Sequence, residues 1–423
     1  MRSHYKRIGD YVTQIKLKNT DDSISLLKGI NINKHFMPSV ANINGTDLSK
    51  YRVVKKNQFA FNPMHVGRDE VLPISMLEDD EQIIVSPAYV VFEVKDEEEL
   101  LPAYLMMWCR RSEFDRNAWF MTDNSVRGGF SWADFCDMEL PVPSIEKQRE
   151  IVREYNVVND RITLNEQLTQ NLEDTAQAIY KQWFVDFEFP ISKEYAESIG
   201  KPEVEGKPYK LSGGEMEYCQ NLEKEIPNGW VTKSFKELAT IKGGKRLPKG
   251  EALVAYPTKH PYIKVADLSD GKFCILGNKF EYLTEDIQST IARYTVNKGD
   301  LIISIVGTIG VTKIVGDSLN GANLTENCVK VIDFKEITAS FAYHFLKSPE
   351  GKGQLEEKIV GAVQSKLPIY NIESFKVAIP IPHILVEFNR SIEAIDKLFQ
   401  LKQSENEKLK ELKSTFLSKI SRA

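Results

Sequence analysis

Leu140-Pro141-Val142-Pro143 is followed by residues stepping alternately four and three positions: Ile151, Tyr155, Val158, Ile162, Asn165, Thr169, Leu172, Ala176, Ile179 and Trp183. Ile379-Pro380-Ile381-Pro382 repeats the opening 239 positions later. Phe388, Ile392, Ile395, Phe399, Lys402, Asn406, Leu409, Lys413, Phe416 and Ile420 then repeat the seam at a constant offset of 237. A 3.5-residue period sustained over four heptads makes a helix pack lengthwise on a partner helix. Two seams in one chain, both apolar at the ends and polar in the middle, are natural partners for each other. Antiparallel pairing sets Asn165 and Thr169 near Lys402 and Asn406, keeping polar residues together and fixing register.

Working outward, weaker matches occur in the same order. Val54-x-Lys56-Asn-Gln-Phe-Ala-Phe61 resembles Val296-x-Lys298-Gly-Asp-Leu-Ile-Ile303, Tyr5-Lys-Arg-Ile8 resembles Phe235-Lys-Glu-Leu238, and Leu27-Lys28 resembles Ile263-Lys264. Offsets drift only between 230 and 242, as loop insertions in a duplicated domain would cause. Strand-length runs of β-branched and aromatic residues (59–61, 85–94, 301–305, 329–332) alternate with short helical patterns (102–109, 339–346). The expected fold is α+β: two tandem mixed α/β domains separated by two long antiparallel helices, with a pseudo-twofold internal repeat. The divisions are 1–143 for the first domain, 144–190 for the first long helix, 191–225 for a linker, 226–382 for the second domain and 383–423 for the second long helix. The linker is rich in Glu, Lys, Pro and Gly and shows no apolar period. This layout puts the two domains at opposite ends of a rod.

Composition narrows the function classes. Of 423 residues, 42% are apolar and 27% charged, which suits a globular chain of two or three domains. Five scattered cysteines without a Cys-x-x-Cys pair read as reduced thiols. The start lacks a signal-peptide apolar run, and the greasiest stretch, residues 301–311, is too short to span a membrane. The expected location is cytoplasmic. A net charge of −5 argues at first against nucleic acid. Between Glu150 and Glu225, however, acids outnumber Lys and Arg two to one, so the acidity belongs to the first long helix and the linker.

No catalytic constellation emerges. Asn62-Pro63-Met64-His65 resembles the Asn-Pro-Pro-aromatic motif of DNA amino-methyltransferases, but its third and fourth residues are wrong and no Gly-rich cofactor turn accompanies it. It reads as a turn, from which His65 and Arg68 could still touch DNA. Gly243-Gly-Lys and Gly351-Lys-Gly lack phosphate-loop spacing. Glu356-Glu-Lys358 and Glu411-Leu-Lys413 are ordinary helix charges, and the six histidines show no metal-ligand spacing. Metal-binding and catalytic residues are therefore expected to be none.

Local charge does favour nucleic acid. Residues 241–265 carry Lys242, Lys245, Arg246, Lys249, Lys259 and Lys264 against Glu251 alone, with Tyr256 and Tyr262 between them. Such a stretch suits phosphate and base contact. The corresponding stretch of the first half holds Lys16, Lys18, Asn19, Lys28, Asn31 and Asn33. A second group, Asn124, Arg127, Gln364 and Lys366, precedes the two Pro-x-Pro segments at equivalent places in the repeat. These side-chain types read base edges.

The paired Pro-x-Pro and long-helix units, with Ile162-Thr-Leu-Asn-Glu-Gln-Leu168 and Lys181-Gln-Trp-Phe-Val-Asp-Phe187, resemble conserved regions of type I restriction-modification specificity subunits. Gly206-Lys-Pro-Tyr209, Ser212-Gly-Gly214 and Ile226-Pro-Asn-Gly-Trp230 resemble that family's inter-domain passage. The resemblance covers nearly the whole chain. It implies that each domain is a target recognition domain reading half of a bipartite double-stranded DNA sequence. It further implies that the helices space the domains and bind two modification subunits, which restriction subunits join. S-adenosylmethionine, ATP and Mg would act in those partners, with no cofactor bound by this chain and no membrane contact. The seam of 33 residues makes about 50 Å of helix, the length of about 15 base pairs. A diverged methyltransferase or nuclease, and a coiled-coil scaffold without DNA specificity, are the competing readings.

Overall fold

A computed structural model describes residues 5–39, 46–64, 66–79, 81–122, 129–268, 271–361 and 364–420. The chain forms two compact units, residues 1–162 with 408–423, and residues 163–407.

The first unit is built on a four-stranded antiparallel sheet, in the order Val12–Ile15, Val90–Val94, Phe59–Phe61, Ile74–Met76. Side chains alternate across a strand, and here both faces are covered. Phe59, Phe61 and Phe92 pack with Phe135 and the helix Pro102–Cys109, while Ala60 and Val91 face Val54, Ile83 and Val85. Phe59 and Phe92 stack at 4.8 Å between centroids, as do Phe92 and Phe135 in a tilted pair. That double burial explains why these strands read as unbroken apolar runs. The run 85–94 is not one strand, because residues 86–89 turn between Ile83–Val85 and Val90–Val94.

The Pro-x-Pro segment closes this unit. Tyr5–Arg7 pairs antiparallel with Glu139–Pro141, and Tyr104 Oη donates to the Pro141 carbonyl at 3.1 Å. Buried Gln148, in the first turn of the long helix Ile145–Tyr180, accepts from Leu101 N and donates to the Glu99 and Pro143 carbonyls. Lys413 of the helix Pro382–Lys419 donates to Asn159 Oδ1 at 2.7 Å and lies over the Tyr155 ring.

The second unit repeats the sheet. Its order is Thr240–Gly243, Cys328–Ile332, Leu301–Ser304, Thr312–Val315, with Phe273–Cys274 added in parallel at the edge. Val231–Ser234 pairs with Lys376–Ile379 as Tyr5–Arg7 does with its Pro-x-Pro segment. Phe235 N donates to Phe375 O at 2.8 Å, and Ile8 N donates to Met138 O at 2.8 Å. The counterpart of the turn Phe235–Leu238 is therefore Ile8–Tyr11, three residues beyond the match read from Tyr5. The matches at Leu27 and Ile263 stand: each makes a parallel bridge, to Ile84 and Leu324.

The long helices pair antiparallel within this unit. Trp183 meets Phe388 at 6.0 Å, and Asn165 Nδ2 donates to Asn406 Oδ1 at 3.0 Å. Of the expected pairing residues, Tyr155, Val158, Ile162, Trp183, Phe388, Ile392, Phe399 and Ile420 are buried. Ile151, Leu172, Ile179, Ile395, Leu409 and Phe416 are half-buried. The first helix ends in a π-helical turn, Lys181–Val185, that turns Trp183 and Phe184 into the core.

Residues 191–225, read as a linker, are folded onto this unit. They form the helix Lys193–Ser198 and the hairpin of Met216–Cys219 with Lys224–Pro227. Ile191, Ala196, Val204 and Tyr209 enter the core, where Phe189 stacks on Tyr209 at 4.5 Å. Each of these apolar residues is buried singly, which leaves no period for a sequence pattern to show.

A buried polar hub joins this unit's sheet edge to both helices. Lys272, 1% exposed, donates to Asp396 Oδ1 at 2.6 Å, Ser340 Oγ at 2.7 Å and His344 Nε2 at 3.0 Å. Ser340 Oγ donates to Asp396 Oδ2, and His344 Nδ1 lies 2.9 Å from Gln177 Oε1. Desolvation, with Lys272 and Lys347 nearby, holds the His344 imidazole well below its usual pKa, so it stays neutral and accepts from the lysine.

Candidate nucleic-acid interface

In the second unit the two groups of sequence candidates meet. The strand Thr240–Gly243 runs into Gly244, Lys245 and Arg246, which lie along the turn 324–328. Gly244 N donates to Cys328 O at 3.0 Å, and Lys245 N to Leu324 O at 2.8 Å. The approach is so close that a Cβ on Gly244 would lie 2.0 Å from Thr325 O, so only glycine fits there. Tyr262 Oη donates to Lys245 O at 2.8 Å. Ile305 N donates to Asn327 O at 2.8 Å, and Leu367 N to Ile305 O at 2.9 Å. Lys366 bridges both Val306 and Val360. Backbone hydrogen bonds thus place Lys242–Arg246 and the Gln364–Lys366 loop in one cluster, with Lys242, Lys245, Arg246, Gln364 and Lys366 exposed.

Residues distant in sequence complete it. Glu326 Oε1 accepts from Arg246 Nε at 2.7 Å, and Thr325 Oγ1 donates to Glu326 Oε2 at 3.1 Å. Partial burial opposes ionisation of Glu326, yet these hydrogen bonds hold its carboxyl below the usual range. Tyr294 lies beneath two cations, Lys245 at 5.7 Å and Arg293 at 5.1 Å from its ring. Arg293, Tyr294 and Glu326 escaped sequence reading because nothing near them in the chain marks them. Glu326 lies 80 positions from Arg246 in the chain yet touches it in space, Tyr294 lies under Lys245, and Arg293 joins through Tyr294.

The first unit repeats part of this frame. Phe130 N donates to Pro63 O at 2.9 Å, the counterpart of Leu367 to Ile305. Asn62 Oδ1 accepts from Met64 N at 3.0 Å, so Asn62-Pro63 is a turn closed by the asparagine itself. His65, Asn124 and Arg127 lie outside the described residues; Arg68 falls in the turn of helix Val66–Asp69. Lys16 and Lys18 are exposed, and Lys18 bridges Arg52, whose Nε donates to the Pro87 carbonyl. Lys28 is half-buried beside Asp79, and Asn31 Oδ1 accepts from His35 N.

Two candidates depart from expectation. Asn19 is 1% exposed, and its amide holds Ile24 through both the N–H and the carbonyl, so it shapes the loop from within. Lys264 is half-buried, its ammonium taken by Glu281. Lys249 and Lys259 are exposed. Among the described residues, no three His, Cys, Asp or Glu side chains group as a metal site, and no helix is long and apolar enough to cross a membrane.

Residues 227–413 match the family described as the type I restriction modification DNA specificity domain. Residues 227–413 thus carry that DNA specificity domain, and the chain is similar over most of its length to type I restriction-modification specificity subunits. It is 22% identical over 431 residues to the type I restriction enzyme HindI specificity subunit of Haemophilus influenzae, covering 92% of this chain and 91% of that one. It is 23% identical over 294 residues to the MjaIX specificity subunit of Methanocaldococcus jannaschii, covering 67% of this chain and 60% of that one. The crystal structure of a type I system S subunit from M. genitalium shares the fold, with a TM-score of 0.54 at 13% identity, over 98% of this chain and 95% of that one. In this chain the loop corners at the ends of the repeated sheets are the candidate DNA-contacting surfaces.

Proposed function

We propose that each unit reads one half of a bipartite double-stranded DNA target, while the two long helices set the spacer and dock two modification subunits. The observation that carries this reading is the duplicated frame: both units share the sheet order and the equivalent Phe130–Pro63 and Leu367–Ile305 bonds, and exposed Lys16 and Lys18 follow the edge strand of the first sheet as Lys245 and Arg246 follow that of the second. A protein that read one continuous site would not need the frame twice. Catalysis belongs to partners, with S-adenosylmethionine, ATP and Mg bound there, and restriction subunits complete the assembly. The chain itself is non-catalytic and cytoplasmic, a setting that suits its five free cysteines.

Methylome sequencing of host cells with and without this gene tests the reading. Exchanging residues 226–382 for those of another such subunit should change one half-site and leave the other. Inserting a heptad into both helices should lengthen the spacer. The diverged-enzyme alternative requires the purified chain alone to bind S-adenosylmethionine. The scaffold alternative requires the exchange to leave the modified sequence unaltered.

A further inference from the structure

We propose that Arg246, braced by Glu326, reads a guanine of a G·C pair in the half-site contacted by the second unit. The proposal rests on the DNA-reading role above.

Arg246 differs from the other exposed cations of the loop in how it is held. Its side chain is 79% exposed, yet its Nε is tied to Glu326. Among the described residues its two terminal nitrogens meet no acceptor. Glu326 is itself fixed by Thr325, and the backbone N–H groups of Gly244 and Lys245, just before Arg246, are fastened to the turn 324–328. Gly244 is required for that fastening. An ion pair this exposed adds little to folding stability. So many restraints on one exposed guanidinium accomplish something else: they aim its planar end.

The acid also selects the ligand. A phosphate brought to Arg246 would approach the Glu326 carboxylate, and two anions at that distance repel. A base edge carries no net charge. Guanine presents O6 and N7 to a planar pair of N–H donors, and its paired cytosine presents an N4 donor that a carboxylate can accept. The Arg–Glu pair therefore matches both edges of one G·C pair. Lys245 and Arg293, stacked on Tyr294 with no acid among the described residues in direct contact, suit the flanking phosphates instead.

The test uses the assembled modification complex and two variants, Arg246→Gln and Glu326→Gln. Methylome sequencing gives the motif, and competition binding to matched and base-substituted duplexes gives discrimination across a salt series. The expected result is a wild-type half-site containing G·C where Arg246→Gln tolerates any pair. Discrimination there should fall about 10- to 100-fold, with the salt slope and the other half-site unchanged. Glu326→Gln should relax the same position while non-specific binding holds or rises. Uniform weakening over all sequences with the salt slope reduced by about one would make Arg246 a phosphate contact and overturn the proposal. An unchanged motif in both variants overturns it too. A wild-type complex without any sequence preference would instead remove the DNA-reading role itself, and this proposal with it.

Discussion

Replacing Asp396 by Leu leaves the Lys272 ammonium, 1% exposed, with only the neutral Ser340 Oγ and His344 Nε2 as direct partners. Removing one member of a buried ion pair costs about 3–5 kcal/mol. Glu173, which also favours the charged lysine, softens the loss, placing it near the lower end at about 3 kcal/mol. That corresponds to about a hundredfold rise in the opening equilibrium. Hydrogen exchange of amides in the helix Ala339–Lys347 reads the change locally, with first-unit amides in Pro102–Cys109 as an internal control. The double variant Lys272→Met with Asp396→Leu removes both charges and should return to within about 1 kcal/mol of the parent. A single-variant loss below about 1 kcal/mol, or a double variant equal to the sum of its singles, would refute the claim that this pair is coupled and buried.

Three further outcomes are expected. His344 stays neutral in the folded unit while the unfolded chain takes up a proton below pH 6.5, so stability falls as pH drops through that value. The loss should reach about 1.4 kcal/mol per pH unit, and His344→Gln should flatten the slope of exchange-derived stability between pH 7.5 and 5.5. Asn165→Leu removes the buried amide that donates to Asn406 and should cost about 1–3 kcal/mol by denaturant unfolding, while Leu at both positions should recover stability and lose unique helix register in crosslinking. Gly244→Ala forces a methyl against Thr325 O and should cost about 1–3 kcal/mol in thermal unfolding while altering only the second half-site.

Much of the architecture was legible because it rests on periodicity. The 3.5-residue seams showed the helix pair, and their polar middles anticipated the Asn165–Asn406 contact. The match of Val54–Phe61 to Val296–Ile303 showed the repeat, and in the structure its Asn57 and Gly299 both take positive φ. The basic loop was visible as a run of charge. None of these signals reaches beyond a few turns of chain.

What the sequence by itself determined, then, is whatever a local pattern can carry: the repeat, the strand-length apolar runs, the helix register and the cationic stretch 242–249. Tertiary structure decided which polar groups face inward. Asn19 closes its own loop, and Lys272 finds Asp396 across 124 positions. It also decided that Arg246 is tied to Glu326, 80 positions away, and that residues 191–225 are packed onto the second unit through Ile191, Ala196, Val204 and Tyr209 rather than left as a tether. Such pairings satisfy buried or aimed polar groups one at a time, and a single satisfied group leaves no periodic trace in the chain.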